Sequence, residues 1–234
     1  MNVTDKITII SGASGGLGQV VSRLFHEAGA RLVLLGSRPA PLETLAGELS
    51  ADRTLPLAAN LFEPAEAERV VAATLDHFGR VDILLNLAGG FTGGKPVSET
   101  PLDDLDKMLD LNLRTAYYLS RAAVKPMLAQ GWGRIVNTAS RDALRGRANY
   151  SAYAISKAAI LRLTESMAAE VKNDGLTVNA ILPGTIDTAA NRKSMPNADY
   201  SKWVKPATIA RTLLFLVAED TAINGAAIPL YGQS

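Results

Sequence analysis

The chain has 234 residues, 47% of them hydrophobic, and 24 basic against 23 acidic side chains give a formal net charge of +1. That length and apolar content suffice for one well-cored domain, and so even a charge balance provides no global field for nucleic acid or an anionic membrane surface. The lack of cysteine excludes disulfides, thiol nucleophiles and thiolate metal sites, while His26 and His77 are too few and too far apart in sequence to suggest zinc, so no metal is expected.

Lys6-Ile7-Thr8-Ile9-Ile10 reads as a first strand, not as a signal peptide, and the apolar stretch Leu213 to Ala218 is too short to span a bilayer. A cytoplasmic protein is expected. Further strand-like runs fall at Arg31 to Leu35, Thr54 to Ala58, Asp82 to Leu85, Arg134 to Asn137, Thr177 to Ile181 and Ala226 to Leu230. Helical spacing fills the intervals near 16–28, 40–49, 63–78, 101–129, 152–172 and 206–218. This alternation predicts an α/β fold: a single Rossmann-type domain over 1–234, with a doubly wound sheet of about seven parallel strands. Ligands then belong at the carboxyl edge, where the strand order reverses.

The first strand runs into Ser11-Gly12-Ala13-Ser14-Gly15-Gly16-Leu17-Gly18 and then an amphipathic helix. Lacking Cβ, Gly12 can turn tightly, Gly16 can admit a pyrophosphate to the backbone, and Gly18 can seat the helix on the sheet. Free N–H groups at that helix start favour an anion, so the segment reads as a dinucleotide site. At the end of the second strand, an acid would accept both ribose hydroxyls of NAD and repel a 2′-phosphate. Gly36 stands there instead, followed by Ser37 and Arg38, which can bond and neutralise a phosphate. NADP(H) is therefore favoured, with NAD(H) still open. Asp103, Asp104 and Asp106 read as first-turn helix charges, not as a metal or acid/base cluster.

Tyr153 and Lys157 are four residues apart on a predicted helix and rise from one face. A nearby ammonium favours the phenolate, so Lys157 is expected to bring the Tyr153 pKa down towards the working range. Tyr153 then exchanges a proton with a carbonyl/alcohol pair, and Ser140, ending a strand, can hydrogen-bond the same oxygen.

The Gly-x-x-x-Gly-x-Gly spacing, taken with this pair, resembles the short-chain dehydrogenase/reductase family over essentially the whole chain. Asn86-Leu87-Ala88-Gly89 resembles its Asn-Asn-Ala-Gly segment, with Leu for the second Asn. Asn112 falls at the helix-kinking Asn, whose backbone carbonyl holds a relay water in the family. Ser140, Tyr153 and Lys157 match the catalytic set, and Pro183-Gly184-Thr185-Ile186-Asp187-Thr188 resembles the segment contacting the nicotinamide carboxamide. The resemblance implies cofactor contacts from Gly12, Ser14, Gly15, Gly16, Leu17, Gly18, Ser37, Arg38, Asn60, Leu61, Asn86, Ala88, Gly89, Tyr153, Lys157, Pro183, Gly184, Ile186 and Thr188. Asn60-Leu61 stands where the family carries Asp beside the adenine.

The loop Ala88 to Gly94 and the segment Asp187 to Asp199 resemble those of dihydropteridine reductases. Those enzymes carry an acid after strand two and lack the Ser and Asn of the full set, so loop shape transfers and substrate does not. Gly90, Phe91, Arg141, Arg192 and Trp203 are the substrate-side candidates: Phe91 to stack on a flat ring, Trp203 to close over it, the cations to favour polar or anionic groups. The expected activity is NADPH-dependent reduction of a small-molecule carbonyl of 3-oxoacyl or small-ketone type. Quinonoid dihydropterin reduction is the alternative, and a dinucleotide-sensing binding protein the non-enzyme one. The family's habit implies a homodimer or homotetramer.

Overall fold

The structure, a computed structural model, describes residues 3–233. Its strands are β1 (Ile7–Ser11), β2 (Arg31–Gly36), β3 (Thr54–Ala58), β4 (Ile83–Asn86), β5 (Gly133–Thr138), β6 (Leu176–Pro183) and β7 (Ala227–Leu230). All pair in parallel in the order β3-β2-β1-β4-β5-β6-β7. The helices are α1 (Gly18–Glu27), α2 (Pro39–Gly47), α3 (Pro64–Phe78), α4 (Leu102–Met108), α5 (Thr115–Gln130), α6 (Ser151–Glu170), α7 (Ala189–Ser194) and α8 (Pro206–Leu216). This is the expected Rossmann-type, doubly wound arrangement.

Strand composition follows from two-sided burial. Ile10, Leu34 and Leu85 pack with Val21 and Phe25 of α1, Leu42 of α2 and Leu213 of α8, while Ile9, Val33, Leu35 and Leu84 face Val70 of α3, Leu119 of α5 and Met167 of α6. Alternate side chains therefore feed opposite layers, and continuous apolar runs replace the polar/apolar alternation of one-sided sheets. Each of these fully buried side chains contributes roughly 1.5–3 kcal/mol. Both sheet edges carry a proline, Pro56 in β3 and Pro229 in β7, which blunts them against further pairing.

Two helical features differ from the sequence expectation. The single helix expected over 101–129 is interrupted by a π-helical turn, Leu109–Arg114, between α4 and α5. The short α7, capped by Thr188 accepting from the Asn191 N–H, was not expected. Among the described residues, no helix is long and apolar enough to cross a membrane.

The order reverses between β1 and β4, and their carboxyl ends are bound together there. Ser11 Oγ accepts from the N–H groups of Leu87 (3.1 Å) and Ala88 (3.2 Å). Gly12 turns at φ +69°, and a Cβ on it would stand 3.0 Å from the Ala88 backbone. A Cβ on Gly18 would fall 2.1 Å from the Gly12 carbonyl oxygen, so α1 reaches the sheet this closely only because that residue is glycine. Gly18→Ala is expected to cost about 1–3 kcal/mol. Gly47→Ala, where nothing lies within 4 Å, should instead gain roughly 0.5–1 kcal/mol. Urea midpoints of the two variants check the contrast; equal midpoints would contradict it.

Candidate active site

α6 carries Tyr153 and Lys157 one turn apart over the end of β5. Lys157 is 4% exposed, and its Nζ donates to the Thr138 carbonyl at 2.8 Å. The ammonium lies 6.0 Å from the centroid of the Tyr153 ring. Burial lowers the Lys157 pKa from 10.5 to about 8, because a charge out of water is penalised. The Tyr153 phenol is hydrogen-bonded to the Ser140 side chain, yet its pKa is raised. Burial is the largest cause; the Ser140 bond opposes it, the Asp142 carboxylate adds to it and Arg147 subtracts. The expectation that Lys157 would pull this phenol down is thus corrected for the free protein. Desolvation governs the phenol, and the cation that lowers it is Arg147, not Lys157.

Ser140 follows β5 and caps a short 3₁₀ turn, Arg141–Ala143, its Oγ accepting from the Asp142 N–H at 3.2 Å. That turn fixes the hydroxyl beside the phenol. Asn112 enters from the π turn, fully buried, and binds the chain after β4 from both sides: Oδ1 accepts from Gly90 N–H (2.9 Å) and Nδ2 donates to Gly90 O (3.1 Å). Nδ2 also donates to Ser156 Oγ (3.0 Å), which donates to the Tyr153 carbonyl (2.8 Å). An inserted residue in a helix rotates the following side chains, and here it turns an amide into the site. A Cβ on Gly89 would lie 2.7 Å from Asn112 Oδ1 and 3.3 Å from Lys157 Nζ, so only glycine lets this loop close over both.

On the other side of the crevice, Gly15 and Gly16 lie exposed ahead of α1, where the Gln19 and Val21 N–H groups donate to the Gly15 and Leu17 carbonyls (3.0 Å each) and the positive end of the helix favours an anion. Ser14 holds the turn by accepting from Gln19 Nε2 through its carbonyl (2.9 Å), and Leu17 precedes α1 as its cap. A Cβ on Gly36 would stand 3.5 Å from Ser14 Oγ, so the glycine turn and the end of β2, with exposed Ser37 and Arg38, border one region. A Cβ on Gly16 would meet Thr188 at 2.9 Å, which puts the segment after β6 at the lip of the turn. Gly184 N–H bonds Leu230 O (2.9 Å), and Ile186 bridges to Val204, holding that segment in place. Pro183 closes β6.

Two residues expected at the cofactor are otherwise engaged. Asn86 is 3% exposed and donates to Ser120 Oγ (2.9 Å) and Asn137 Oδ1 (2.8 Å); Asn137 in turn donates to Thr164 (2.9 Å). Its side chain is a strut between β4, β5, α5 and α6, and only Ala88 and Gly89 beyond it reach the crevice. Leu61 is a core residue against α3, while Asn60 is exposed and accepts from the Phe62 N–H (3.3 Å).

The substrate side also departs from expectation. Trp203 is 8% exposed and packed on Tyr200 (4.8 Å between centroids), so it supports the segment instead of closing over a ring. Arg192 is bound in two places by Asp187 (2.6 and 2.8 Å) and lies over Tyr200. Arg141 is turned towards the Tyr231 ring. Phe91 does reach the site, half exposed, its centroid 5.0 Å from Tyr153 and 5.1 Å from Tyr150. Sequence reasoning missed Tyr150, Asp142 and Ser156; the run of Arg141, Arg145 and Arg147 between Ser140 and Tyr153 already placed positive charge near the site mouth. Tyr150 stands just ahead of α6 as its N-cap residue, three before Tyr153, and outside the helix expected near 152–172. Nothing in the sequence signals the others.

The donor set fits a dinucleotide: a helix start behind two exposed glycines for phosphate, and a buried ammonium with one protein acceptor for ribose hydroxyls. Among the described residues no group of three or more His, Cys, Asp or Glu is placed to hold a metal.

Comparison with known proteins places this geometry. The short chain dehydrogenase family profile matches residues 6–199. An uncharacterized oxidoreductase of Staphylococcus aureus (strain USA300) is 30% identical over 222 residues, 95% of each chain. The D-beta-hydroxybutyrate dehydrogenase of Rhizobium meliloti (strain 1021) is 35% identical over 196 residues, 82% of this chain and 76% of its own. NAD⁺-bound xylitol dehydrogenase superposes with a TM-score of 0.91 at 25% identity, over 99% of this chain and 100% of that one. ElxO with NADP bound shares the fold, with a TM-score of 0.92 at 23% identity over 98% of each chain.

Burial of Lys157 has a measurable consequence. Between about pH 8 and 10.5 the unfolded chain holds the Lys157 proton and the folded chain does not, so this group makes stability rise with pH across that window. The displacement amounts to about 3 kcal/mol between the two protonation states. Lys157→Met should therefore stabilise the free protein at pH 7 by up to about that amount and flatten the slope between about pH 8 and 9.5, below the range where Tyr153 titrates. Urea unfolding across this range checks it; an unchanged slope would contradict the assignment.

Proposed function

The chain belongs to the short chain dehydrogenase family of NAD(P)-dependent oxidoreductases acting on carbonyl/alcohol pairs, and within that class we propose that it reduces a small-molecule carbonyl, of small-ketone or 3-oxoacyl type, preferentially with NADPH. The observation that carries the proposal is the desolvated Tyr153 phenol, hydrogen-bonded to Ser140 and one helical turn from the buried Lys157.

Bound at the glycine turn, NADPH supplies the hydride. Ser140 holds and polarises the carbonyl oxygen, and Tyr153 gives that oxygen its proton. A phenol kept neutral by burial suits this direction of reaction, because it must still hold its proton when negative charge develops on the carbonyl oxygen. Lys157 binds the nicotinamide ribose and restores the proton to Tyr153. Asn112 pins Gly90 with its side chain and offers its backbone carbonyl to a water that links Lys157 to solvent. Gly15, Gly16 and the N–H groups opening α1 take the pyrophosphate, Thr188 the carboxamide, and Ser37 with Arg38 the 2′-phosphate.

Xylitol dehydrogenase with NAD⁺ and ElxO with NADP show that both cofactors occur on this fold. The lack of an acid at Gly36 is what favours NADPH here. Reduction of quinonoid dihydropterin is the second reading, favoured by the open face of Phe91. The paired Arg192 and buried Trp203 offer it nothing further. A homo-oligomer in the cytoplasm completes the proposal, with exposed Tyr117 and Leu128 on α5 and Ile155 on α6 as its contact surface.

Tyr153→Phe should keep the NADPH dissociation constant within about threefold while turnover of a ketone falls roughly 10²–10⁴-fold. Fluorescence titration and steady-state assay decide this, and full turnover would refute the role. Gly36→Asp puts a carboxylate where the nearest neighbours of a Cβ are Leu42 (3.4 Å) and Ser14 (3.5 Å), ordinary contact distances. The NADPH:NADH ratio of kcat/KM should fall at least about tenfold in this variant; an unchanged ratio would move the 2′-phosphate site elsewhere.

A further inference from the structure

The wall of the crevice facing Phe91 carries a charge arrangement that the proton-transfer chemistry does not use. Residues 140–150 hold Arg141, Arg145 and Arg147 against one acid, Asp142, and the opposing loop 89–95 adds Lys95 and no acid. Lys95 shares a small cavity with Asp104 below this wall, Arg141 is turned to Tyr231, and Arg145 is exposed. Arg147 is built differently. Its guanidinium lies over the Tyr150 ring, 3.8 Å from the centroid, and Nε is 3.6 Å from Asp142 Oδ1. Tyr150 contacts Phe91, which contacts Tyr153. The Gly94 N–H donates to Asn149 O at 2.7 Å, so the two loops are stapled across the mouth of the site. A planar cation thereby stands, half exposed, at the rim of an aromatic surface that ends at the reacting phenol.

The ion pair approaches through Nε at a distance too long for a good hydrogen bond, and among the described residues the two terminal Nη atoms form no hydrogen bond. The Tyr150 ring and the Asp142 carboxylate draw the half-exposed guanidinium to this rim and leave its two-pronged edge open to a ligand. Such an edge suits a carboxylate, which takes two parallel N–H bonds, better than a neutral amide or ester.

We propose that Arg147, presented by Tyr150 and Asp142, is a specificity-determining residue that binds the carboxylate of an oxo-acid substrate whose carbonyl lies at Tyr153 and whose body rests on Phe91. The inference rests on the carbonyl-reduction reading and narrows its substrate class to anionic, planar or short-chain oxo acids. The Rhizobium meliloti relative, whose name is that of a hydroxy-acid dehydrogenase, agrees with that class.

The test compares 4-acetylbenzoate with its neutral isostere 4-acetylbenzamide. The native protein should prefer the acid by at least about tenfold in kcat/KM, expressed mainly in KM, and Arg147→Gln should bring the acid:amide ratio to near one. Because the ratio is taken within each variant, any general loss of activity cancels. Arg147→Lys, which keeps the charge and loses the fork, should fall between the two. A binding measurement separates this inference from the reading beneath it. In the Tyr153→Phe background loaded with NADP⁺, calorimetry should show Arg147→Gln weakening the acid about tenfold and leaving the amide unchanged. No acid preference in the native protein, or a ratio indifferent to Arg147→Gln, would overturn the inference. Arg147-dependent binding of the acid without turnover of either compound would support the anion site and overturn the carbonyl-reduction reading.

Discussion

The Lys157 ammonium is held out of water where α6 crosses the end of β5, and the geometry of the crevice follows from how that cost is met. One carbonyl, Thr138 O, accepts from it at 2.8 Å, and the glycine backbone at 89 closes over it. A buried ammonium so sparsely bonded is expensive, which is why its pKa falls to about 8. Only a rigid frame sustains such a site. That frame is the two-sided core: α3, α5 and α6 cover one face of the sheet, α1, α2 and α8 the other. The same dry environment acts on Tyr153 in the opposite direction, keeping its proton on. In the proposed reaction both effects serve reduction, since the phenol must arrive protonated and the lysine must pass protons without holding them too tightly.

Polar bonds then fix each part relative to the next. Ser11 ties the chain after β4 to β1, Asn86 and Asn137 join β4 and β5 to α5 and α6, and Asn112 joins the π turn to Gly90 and Ser156. These side chains are buried, and each bond replaces one lost to water. The glycine turn, the phenol and the Phe91 loop are therefore three parts of one connected network. The rim is less constrained. Phe91, Tyr150 and Arg147 are linked by ring contacts and a long ion pair, and it is here that we assign substrate choice.

The strands and the glycine turn were legible in the sequence because each rests on local chemistry: apolar runs for a sheet buried on both faces, missing Cβ atoms where backbones touch. Tyr153 and Lys157 were legible because helical spacing alone puts them on one face. The π turn was legible only as the kink that the resemblance implies at Asn112, since Leu109–Arg114 has the same apolar periodicity as the helix around it and the inserted residue shows only in the hydrogen bonds. The six residues of α7 are too few to show a period. Trp203 and Arg192 were misread because their surroundings are tertiary: a tryptophan in a polar segment looks like a lid until it is buried against Tyr200, and an arginine looks open until Asp187 takes it. The direction of the Tyr153 shift failed for the same reason. Spacing reveals a neighbour, while desolvation depends on everything else packed around it.

The account is tested most directly by the ionisation of one phenol in the free protein. Ultraviolet titration of tyrosinate absorbance, taken as the native protein minus Tyr153→Phe, isolates it. Burial predicts that Tyr153 ionises above the ordinary tyrosine value of 10.0, protonated and ready to donate throughout the neutral range. An ionisation well below that value would contradict the account, since it would mean that the neighbouring cation, and not desolvation, governs the site.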